Sequence, residues 1–400
     1  MKKIVIVGGG TTGWVTALYL NKEYKDLDIT LIESDSIGIM GVGEGSTVNF
    51  QQLLKRLNVN IEEFIKETNS TVKLGINFVN WKGDGDSYFH NFLNSNGETD
   101  YAFHFDARMV VNYFRKLSIS NGIKVIEGIV TKVNLKEDNS VDTLELEDGK
   151  IIDLDYVFDA SGFKELILGS IYKPKWISYE PFLKVNEAIT FFQEPKGEME
   201  TTTTSTAMKY GWMFEIPLQH RTGTGYNYNS NYITSEEAKT EVEEYLGKPI
   251  KINKILKYKP GIYESVFVKN CIGIGLSTGF LEPLEATSIM NVIAQLSFTN
   301  DIFEGNHKIY NEKIKELYTE SMLFVYYHYL TERNDTEFWK LYNSGKLTPI
   351  ELYKFIDSDY NVKIKDDTEL SNLFRFQNTF ELYSWNTINC GSRNYKKTFI

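Results

Sequence analysis

Three glycines, Gly8, Gly10 and Gly13, follow the apolar run Ile4-Val5-Ile6-Val7, and Glu33 stands twenty residues further on, closing a second apolar run from Ile29 to Ile32. Residues of these types at this spacing bind a dinucleotide. Gly8 lets a buried strand turn sharply, Gly10 lets the backbone approach a pyrophosphate, and Gly13 lets the following helix pack against the strand. Thr11 and Thr12 open that helix, whose free N–H groups and dipole favour phosphate. Glu33 is placed to accept hydrogen bonds from an adenosine ribose and would repel a 2′-phosphate, so FAD or NAD is favoured over NADP. A second glycine-rich loop, Gly41-Val42-Gly43-Glu44-Gly45-Ser46, follows. The chemistry available is therefore redox chemistry carried by a bound cofactor.

The elements that position these residues read as a mixed α/β chain. With 400 residues, 42% of them hydrophobic, the chain can bury a large core divided among two or three subdomains. No repeat, low-complexity tract or proline-rich linker separates them, so they are expected to interleave. Asn60 and Glu63 make a capping box for a helix. From Val72 the period becomes two, with Val72, Leu74, Ile76 and Phe78 on one side and Lys73, Gly75 and Asn77 on the other, as in a half-buried strand whose Lys73 faces solvent. Strands are expected over 124–146 with a turn at Glu137-Asp138-Asn139-Ser140. Tyr156 to Asp159 forms a strand entering Ala160-Ser161-Gly162-Phe163, a β-rich stretch runs to about Tyr258, and 305–385 reads as aromatic-rich helices.

Two turns tie the ends of this fold together. Asp159 to Gly162 is a strand-to-turn of the kind seen in glutathione-reductase-type flavoproteins, and Gly273-Ile274-Gly275-Leu276-Ser277-Thr278-Gly279 would feed a helix against the flavin. The expected architecture is a Rossmann-like FAD-binding fold of the glutathione-reductase/aromatic-hydroxylase type. Its FAD domain is 1–175 with 259–300, its β-rich substrate-side insertion 176–258, and its mostly helical C-terminal cap 301–400.

Composition excludes several partners. A net charge of −11 disfavours nucleic acid and anionic membranes. Cys271 and Cys390 lack CxxC spacing and the five histidines are scattered, so neither a disulfide framework nor a metal site is expected. The chain has no apolar run of transmembrane length and opens directly in a strand, from which a cytoplasmic protein is expected.

The chain resembles the flavin-dependent tryptophan halogenase family from residue 3 to about residue 340. The resemblance rests on Gly13-Trp14-Val15-Thr16-Ala17, the loop Gly41 to Thr47, Lys73-Leu74-Gly75-Ile76 through Phe78-Val79-Asn80-Trp81, Tyr88-Phe89-His90-Asn91-Phe92, Phe103-His104-Phe105-Asp106, Asp159 to Phe163, and Phe280-Leu281-Glu282-Pro283-Leu284-Glu285-Ala286-Thr287-Ser288. It implies that FAD is bound by the first glycine turn, by a strap at Gly41, Val42, Gly43 and Glu44, and at Asp159, Gly162, Gly275 and Leu276. It implies that Lys73 is the catalytic lysine. Glu285, following Pro283-Leu284, is the candidate carboxylate that stabilises the cationic ring and takes its proton. Backbone N–H groups at Thr287 and Ser288 would hold halide. His90 and Phe92 match positions that sandwich indole, and Trp212, Phe214 and Pro217 match the passage between flavin and substrate.

The chemistry implied is oxidation of chloride, bromide or iodide by FADH2 and O2 to hypohalous acid, which Lys73 would hydrogen-bond or carry as a haloamine. The substrate would be an electron-rich aromatic, indole- or phenol-like, small or carrier-bound. Reduced flavin would come from a separate NAD(P)H flavin reductase, since no second nucleotide-binding βαβ unit is visible, and a homodimer is left open. Phe214 replaces a tryptophan of the family pattern. Ala286 and Ser288 replace a serine and a glycine, and Ser288 is expected to restrict the backbone. After about Trp339 no clear match remains, so the segment closing over free tryptophan is expected to be missing or rebuilt. Two alternatives stand beside the halogenase. One is an aromatic monooxygenase, disfavoured because Leu276 follows Gly275 where such enzymes usually carry aspartate. The other is a non-catalytic reduced-flavin-binding protein.

Overall fold

The computed structural model describes residues 1–38, 41–83, 85–94, 96–195, 197–344, 383, 384, 387, 388 and 391. Its nucleotide-binding layer is a six-stranded sheet in the order Phe267–Val268, Cys271–Gly273, Tyr156–Asp159, Lys2–Val7, Leu27–Glu33 and Lys124–Glu127. All neighbours are parallel except the first pair. Ile4, Val5, Ile6, Val157 and Phe158 are buried, as parallel strands covered on both faces must be.

The first strand turns into the helix Thr11–Glu23 where the glycine spacing places it. Gly8 has φ +128°, and a Cβ there would lie 2.3 Å from the Ala160 carbonyl oxygen. A Cβ on Gly13 would lie 1.9 Å from the Gly8 oxygen, so this helix can approach this strand only without a side chain at 13. Asn60 caps the helix Ile61–Thr68 by accepting from the Glu63 N–H at 3.1 Å.

The second large sheet has seven strands, ordered Lys254–Lys257, Glu187–Gln193, Thr222–Tyr228, Gly211–Pro217, Thr202–Ala207, Gly75–Val79 and Ser87–Asn91. Five come from the expected β-rich insertion, but two come from before residue 100. The N-terminal pair joins through a parallel pairing of Gly75–Val79 with Thr202–Ala207, which satisfies the backbone of both. The boundary drawn at 176 therefore does not separate two sheets. Helix Ser235–Leu246, closed by a Thr234–Glu237 capping box, buries Ala238 and Val242 against Ile189, Phe191, Met213, Tyr226 and Tyr228.

The alternating run from Val72 is interrupted. Thr71–Lys73 pairs with Ala102–Phe105, which also pairs with Glu44–Gly45 to form a small three-stranded sheet. At Leu74, whose N–H donates to the Thr201 carbonyl at 2.7 Å, the chain leaves that sheet for the large one. Lys73, on the polar side of that alternation, is buried.

The C-terminal part is helical through Thr287–Ser297, Thr299–Phe303, His307–Tyr329 and Glu337–Ser344. The longest buries Tyr310, Ile314, Tyr318, Met322, Phe324, Val325 and Tyr329. The expectation of helix to about 385 extends beyond the described residues. No described helix is long and apolar enough to cross a membrane.

Replacing Gly13 with alanine must push the helix off the strand, costing about 1–3 kcal/mol. A lowered Tm together with weakened FAD binding is expected for Gly13→Ala in thermal melts and flavin titration.

Candidate active site

The cofactor cradle forms where the sheet, the first helix and two loops converge. Gly10 caps the helix in extended conformation without any side-chain cap, and a Cβ there would meet nothing within 4 Å, so there is open space beside the helix start. Thr12 lies beside Gly275 of the turn Gly275–Ser277, its Oγ1 2.7 Å from where a Cβ would stand. Leu276 belongs to the same turn. Glu33 is buried at the end of its strand and accepts from Arg115 Nε at 2.6 Å through one carboxylate oxygen. An open, uncapped helix start bordered by Glu33 fits a dinucleotide, and these residues would hold FAD.

Asp159 and Gly162 have different parts here. Asp159 is fully buried and accepts from the backbone of Ser161 (3.1 Å), Ile167 (2.7 Å) and Leu168 (2.9 Å) and from the Ser277 hydroxyl (3.4 Å). It shapes the loop beside the cradle from below. Gly162, at φ +70°, starts the single turn that follows.

The strap residues Gly41, Val42, Gly43 and Glu44 lie across the large sheet. The Val42 carbonyl is 2.3 Å from where a Cβ on Gly223 would stand, and Glu44 pairs with Phe105. The base of the strap is stapled by Ser46, whose N–H donates to the Phe103 carbonyl at 2.9 Å and whose Oγ accepts from the Phe103 N–H at 3.0 Å. Its carbonyl accepts from Lys73 Nζ at 3.0 Å.

Lys73 is 1% exposed, and its ammonium also lies 5.2 Å from the centre of the Phe92 ring. Burial pushes it down to about 8, with Glu285 acting in the opposite direction. His104, on the strand paired with it, is held between the hydroxyls of Thr71 (3.3 Å) and Thr203 (2.8 Å). Burial, with Lys73 adding to it, drives the His104 imidazole well below its ordinary range.

Glu285 is brought in by an unusual backbone. Glu285 (φ 61°, ψ 10°) and Ala286 (φ 56°, ψ 35°) are successive left-handed residues without being glycine, each costing about 1–3 kcal/mol. The kink turns the carboxylate inward, where Oε1 meets His90 Nδ1 and His328 Nε2, each at 2.9 Å. Burial alone would raise this carboxyl, but the two imidazoles overcome it and hold it well below the usual carboxylate range. Helix Thr287–Ser297 begins immediately after the kink with no side-chain cap, so its first N–H groups at Thr287 and Ser288 are available to an anion. Ser288 sits in ordinary helix, and the expected backbone restriction falls instead on Glu285 and Ala286.

His90 and Phe92 meet edge to face, 79° apart with centres at 6.2 Å, so in this state they are not parallel plates. Trp212 and Phe214 lie side by side at 6.1 Å, and Pro217 ends their strand. Trp212 Nε1 donates to Glu282 Oε1 at 3.0 Å, as does the Tyr329 hydroxyl at 2.6 Å. Burial pushes Glu282 up to about 8 against those two hydrogen bonds. Arg115, Ser46, Glu282 and His328 were not assigned roles from sequence; Ser46, closing the second glycine-rich loop, and Glu282, two residues into the Phe280 motif, carried a local signal.

The model of the tryptophan halogenase family matches residues 3–98 and 93–398 of this chain. The chain belongs to the tryptophan halogenase family. Tryptophan 7-halogenase of Lentzea aerocolonigenes is 27% identical over 471 residues, covering 97% of this chain and 88% of that one. The solved tryptophan 6-halogenase of Streptomyces toxytricini superposes with a TM-score of 0.84 at 25% identity, covering 98% and 90% of the two chains. A flavin-dependent halogenase from Brevundimonas sp. BAL3 gives 0.83 at 25% identity, covering 97% and 89%. The family match runs well past Trp339, where the sequence alone offered no clear correspondence. This chain is thus a flavin-dependent halogenase, an enzyme using FAD, a halide, an aromatic substrate and a separate flavin reductase. Among the described residues no cluster of histidine, cysteine, aspartate and glutamate could hold a metal ion. Cys271 is a buried free thiol and Cys390 lies outside the described residues.

The buried ammonium predicts a pH signature. Lys73 has its folded value lowered from 10.5 to about 8, so between those values the unfolded chain binds more protons and stability rises with pH. Across that window the gain is about 3 kcal/mol. Lys73→Met should therefore stabilise most at pH 7 and lose that advantage toward pH 10.5. A stability difference between variant and parent that is flat across this range in denaturant titrations would show that Lys73 is solvated.

Proposed function

We propose that this halogenase oxidises chloride, bromide or iodide with O2 and halogenates an electron-rich aromatic ring of the indole or phenol type, with Lys73 presenting the electrophile and Glu285 taking the ring proton. The observation that carries the reading is the burial of the Lys73 ammonium and the Glu285 carboxylate within electrostatic reach of each other, the first at the root of the strap and the second at the kink before helix Thr287–Ser297. Bound FAD, supplied reduced, provides with O2 and halide the hypohalous acid. Everything else falls to this chain's own groups.

The cradle at Gly8, Gly10, Thr11, Thr12 and Gly13, with Glu33, holds the dinucleotide at one end, and the strap Gly41 to Glu44 lies over it. The uncapped N–H groups at Thr287 and Ser288 give halide a site. Lys73, with one hydrogen bond to Ser46 and a ring face at Phe92, retains N–H donors for hypohalous acid and holds it by hydrogen bond or as a haloamine. With a pKa of about 8, both the ammonium and the free amine are accessible near neutral pH. Glu285 faces the substrate side as an anion, able to stabilise a cationic ring and remove its proton. His90, Phe92, Trp212, Phe214 and Pro217 line the substrate and its approach. Two of the relatives described above are tryptophan halogenases; indole is accordingly the first ring to test, with small and carrier-bound forms compared.

Lys73→Ala should bind FAD and consume oxygen while halogenated product disappears. Glu285→Gln should retain some product while turnover falls about 10²–10⁴-fold. Both are read by flavin titration, oxygen uptake and mass spectrometry on an aromatic library with mixed halides. Wild-type product yield from Lys73→Ala would defeat the mechanism, and a product heavier by one oxygen would mark a hydroxylase. NADH, FAD, oxygen and bromide should give no turnover until an unrelated flavin reductase is added.

A further inference from the structure

His328 lies on the long helix His307–Tyr329, fully buried, with both ring nitrogens engaged. Nδ1 is 2.8 Å from the carbonyl oxygen of Phe324, one turn earlier on the same helix. A carbonyl oxygen only accepts, so Nδ1 carries a proton. Nε2 is 2.9 Å from Glu285 Oε1. The two imidazoles hold Glu285 well below the usual carboxylate range, so it is ionised, and against a carboxylate oxygen an unprotonated Nε2 would place lone pair against lone pair; Nε2 therefore carries a proton as well. The ring is then an imidazolium paired with a carboxylate. His90 is under no such constraint, because its Nε2 meets the Ser384 hydroxyl at 2.9 Å, which can donate or accept.

We propose that His328 is the positioning residue that keeps Glu285 in its carboxylate form and aims it, an inference that rests on reading Glu285 as the base for the ring proton. The enclosure supports this. The His328 ring is boxed by Phe78, Trp81 and Phe324, with centres at 5.0, 6.1 and 5.1 Å, none of which titrates. Among the described residues, the titratable groups that act on Glu285 are His90 and Tyr88 on strand Ser87–Asn91, Lys73 on strand Thr71–Lys73, and His328. Of the two imidazoles that touch the carboxylate, His328 is the one whose other nitrogen is fixed as a donor by its partner, so that a proton on Nε2 makes its ring cationic.

In the step so served, a ring C–H bond breaks, its electron pair restores the aromatic system, and the proton passes to a Glu285 oxygen. The acid formed stands beside an imidazolium, which disfavours its keeping the proton and so resets the base.

Two measurements test the assignment on the full chain. In ¹⁵N-histidine spectra at pH 8.5, one of the five histidines should show both ring nitrogens protonated. That signal should vanish in both His328→Gln and Glu285→Gln. Its absence from the wild type, or its persistence in Glu285→Gln, would overturn the proposal. In product assays with chemically reduced flavin, His328→Gln keeps a donor without the charge. Burial then raises the Glu285 carboxyl without that charge to oppose it, so the acid limb of kcat should move to higher pH and the loss of turnover should narrow by pH 8.5. Flavin titration checks that the fold is retained. A pH profile for His328→Gln parallel to that of the wild type, with Glu285→Gln strongly impaired, overturns the role of His328 alone. Full product yield from Glu285→Gln overturns the base reading and this proposal with it.

Discussion

A lysine ammonium buried at Lys73 is the constraint around which this enzyme is arranged. Removing a charge from water costs several kcal/mol unless the surroundings compensate, and here compensation comes from one carbonyl, one ring face and a carboxylate nearby. The Ser46 carbonyl is available because Ser46 is fastened to Phe103 by paired hydrogen bonds. The lysine therefore ties the root of the strap to the small sheet that carries it. Its inward direction depends in turn on the break at Leu74, where the chain passes from the three-stranded to the seven-stranded sheet.

Much of the cofactor domain was legible in the sequence because its determinants are local. Gly8, Gly10 and Gly13 specify a turn whose sterics involve atoms a few residues apart, and Glu33 follows at a distance set by one helix and one strand. Asp159 was legible as a position but not as a role. From sequence it belonged among cofactor contacts, whereas its hydrogen bonds run to Ser161, Ile167, Leu168 and Ser277 and shape the loop instead.

The reactive enclosure was less legible, for a physical reason. Lys73 is buried where the chain changes sheets beside the Leu74–Thr201 hydrogen bond, and Glu285 meets His90 and His328, 195 and 43 residues away. No periodicity carries such information. Arg115 meets Glu33 across 82 residues in the same way. Local chemistry also misled at Ser288, where a serine replacing a family glycine suggested backbone restriction. The left-handed pair is one turn earlier, at Glu285 and Ala286, and packing of the surrounding helices holds two side-chain-bearing residues in that conformation.

Three buried carboxyl groups show how local environment separates roles. Asp159 is surrounded by neutral N–H and O–H donors on both oxygens and is fully used in holding a loop. Glu282 meets only an indole N–H and a phenol O–H, and both reach the same oxygen. Burial then wins, and a group pushed up to about 8 is mostly neutral near pH 7, suited to fixing Trp212 and Tyr329 without adding charge. Glu285, three residues later in the same motif, meets two imidazoles, and the balance reverses. Its charge is maintained where hypohalous acid and a cationic ring would both need an anion nearby. A single peptide segment thus presents a neutral acid to an indole and a phenol and a carboxylate to two imidazoles. The left-handed kink at Glu285 is what turns these two side chains toward different partners, which accounts for strained backbone at this point of the chain.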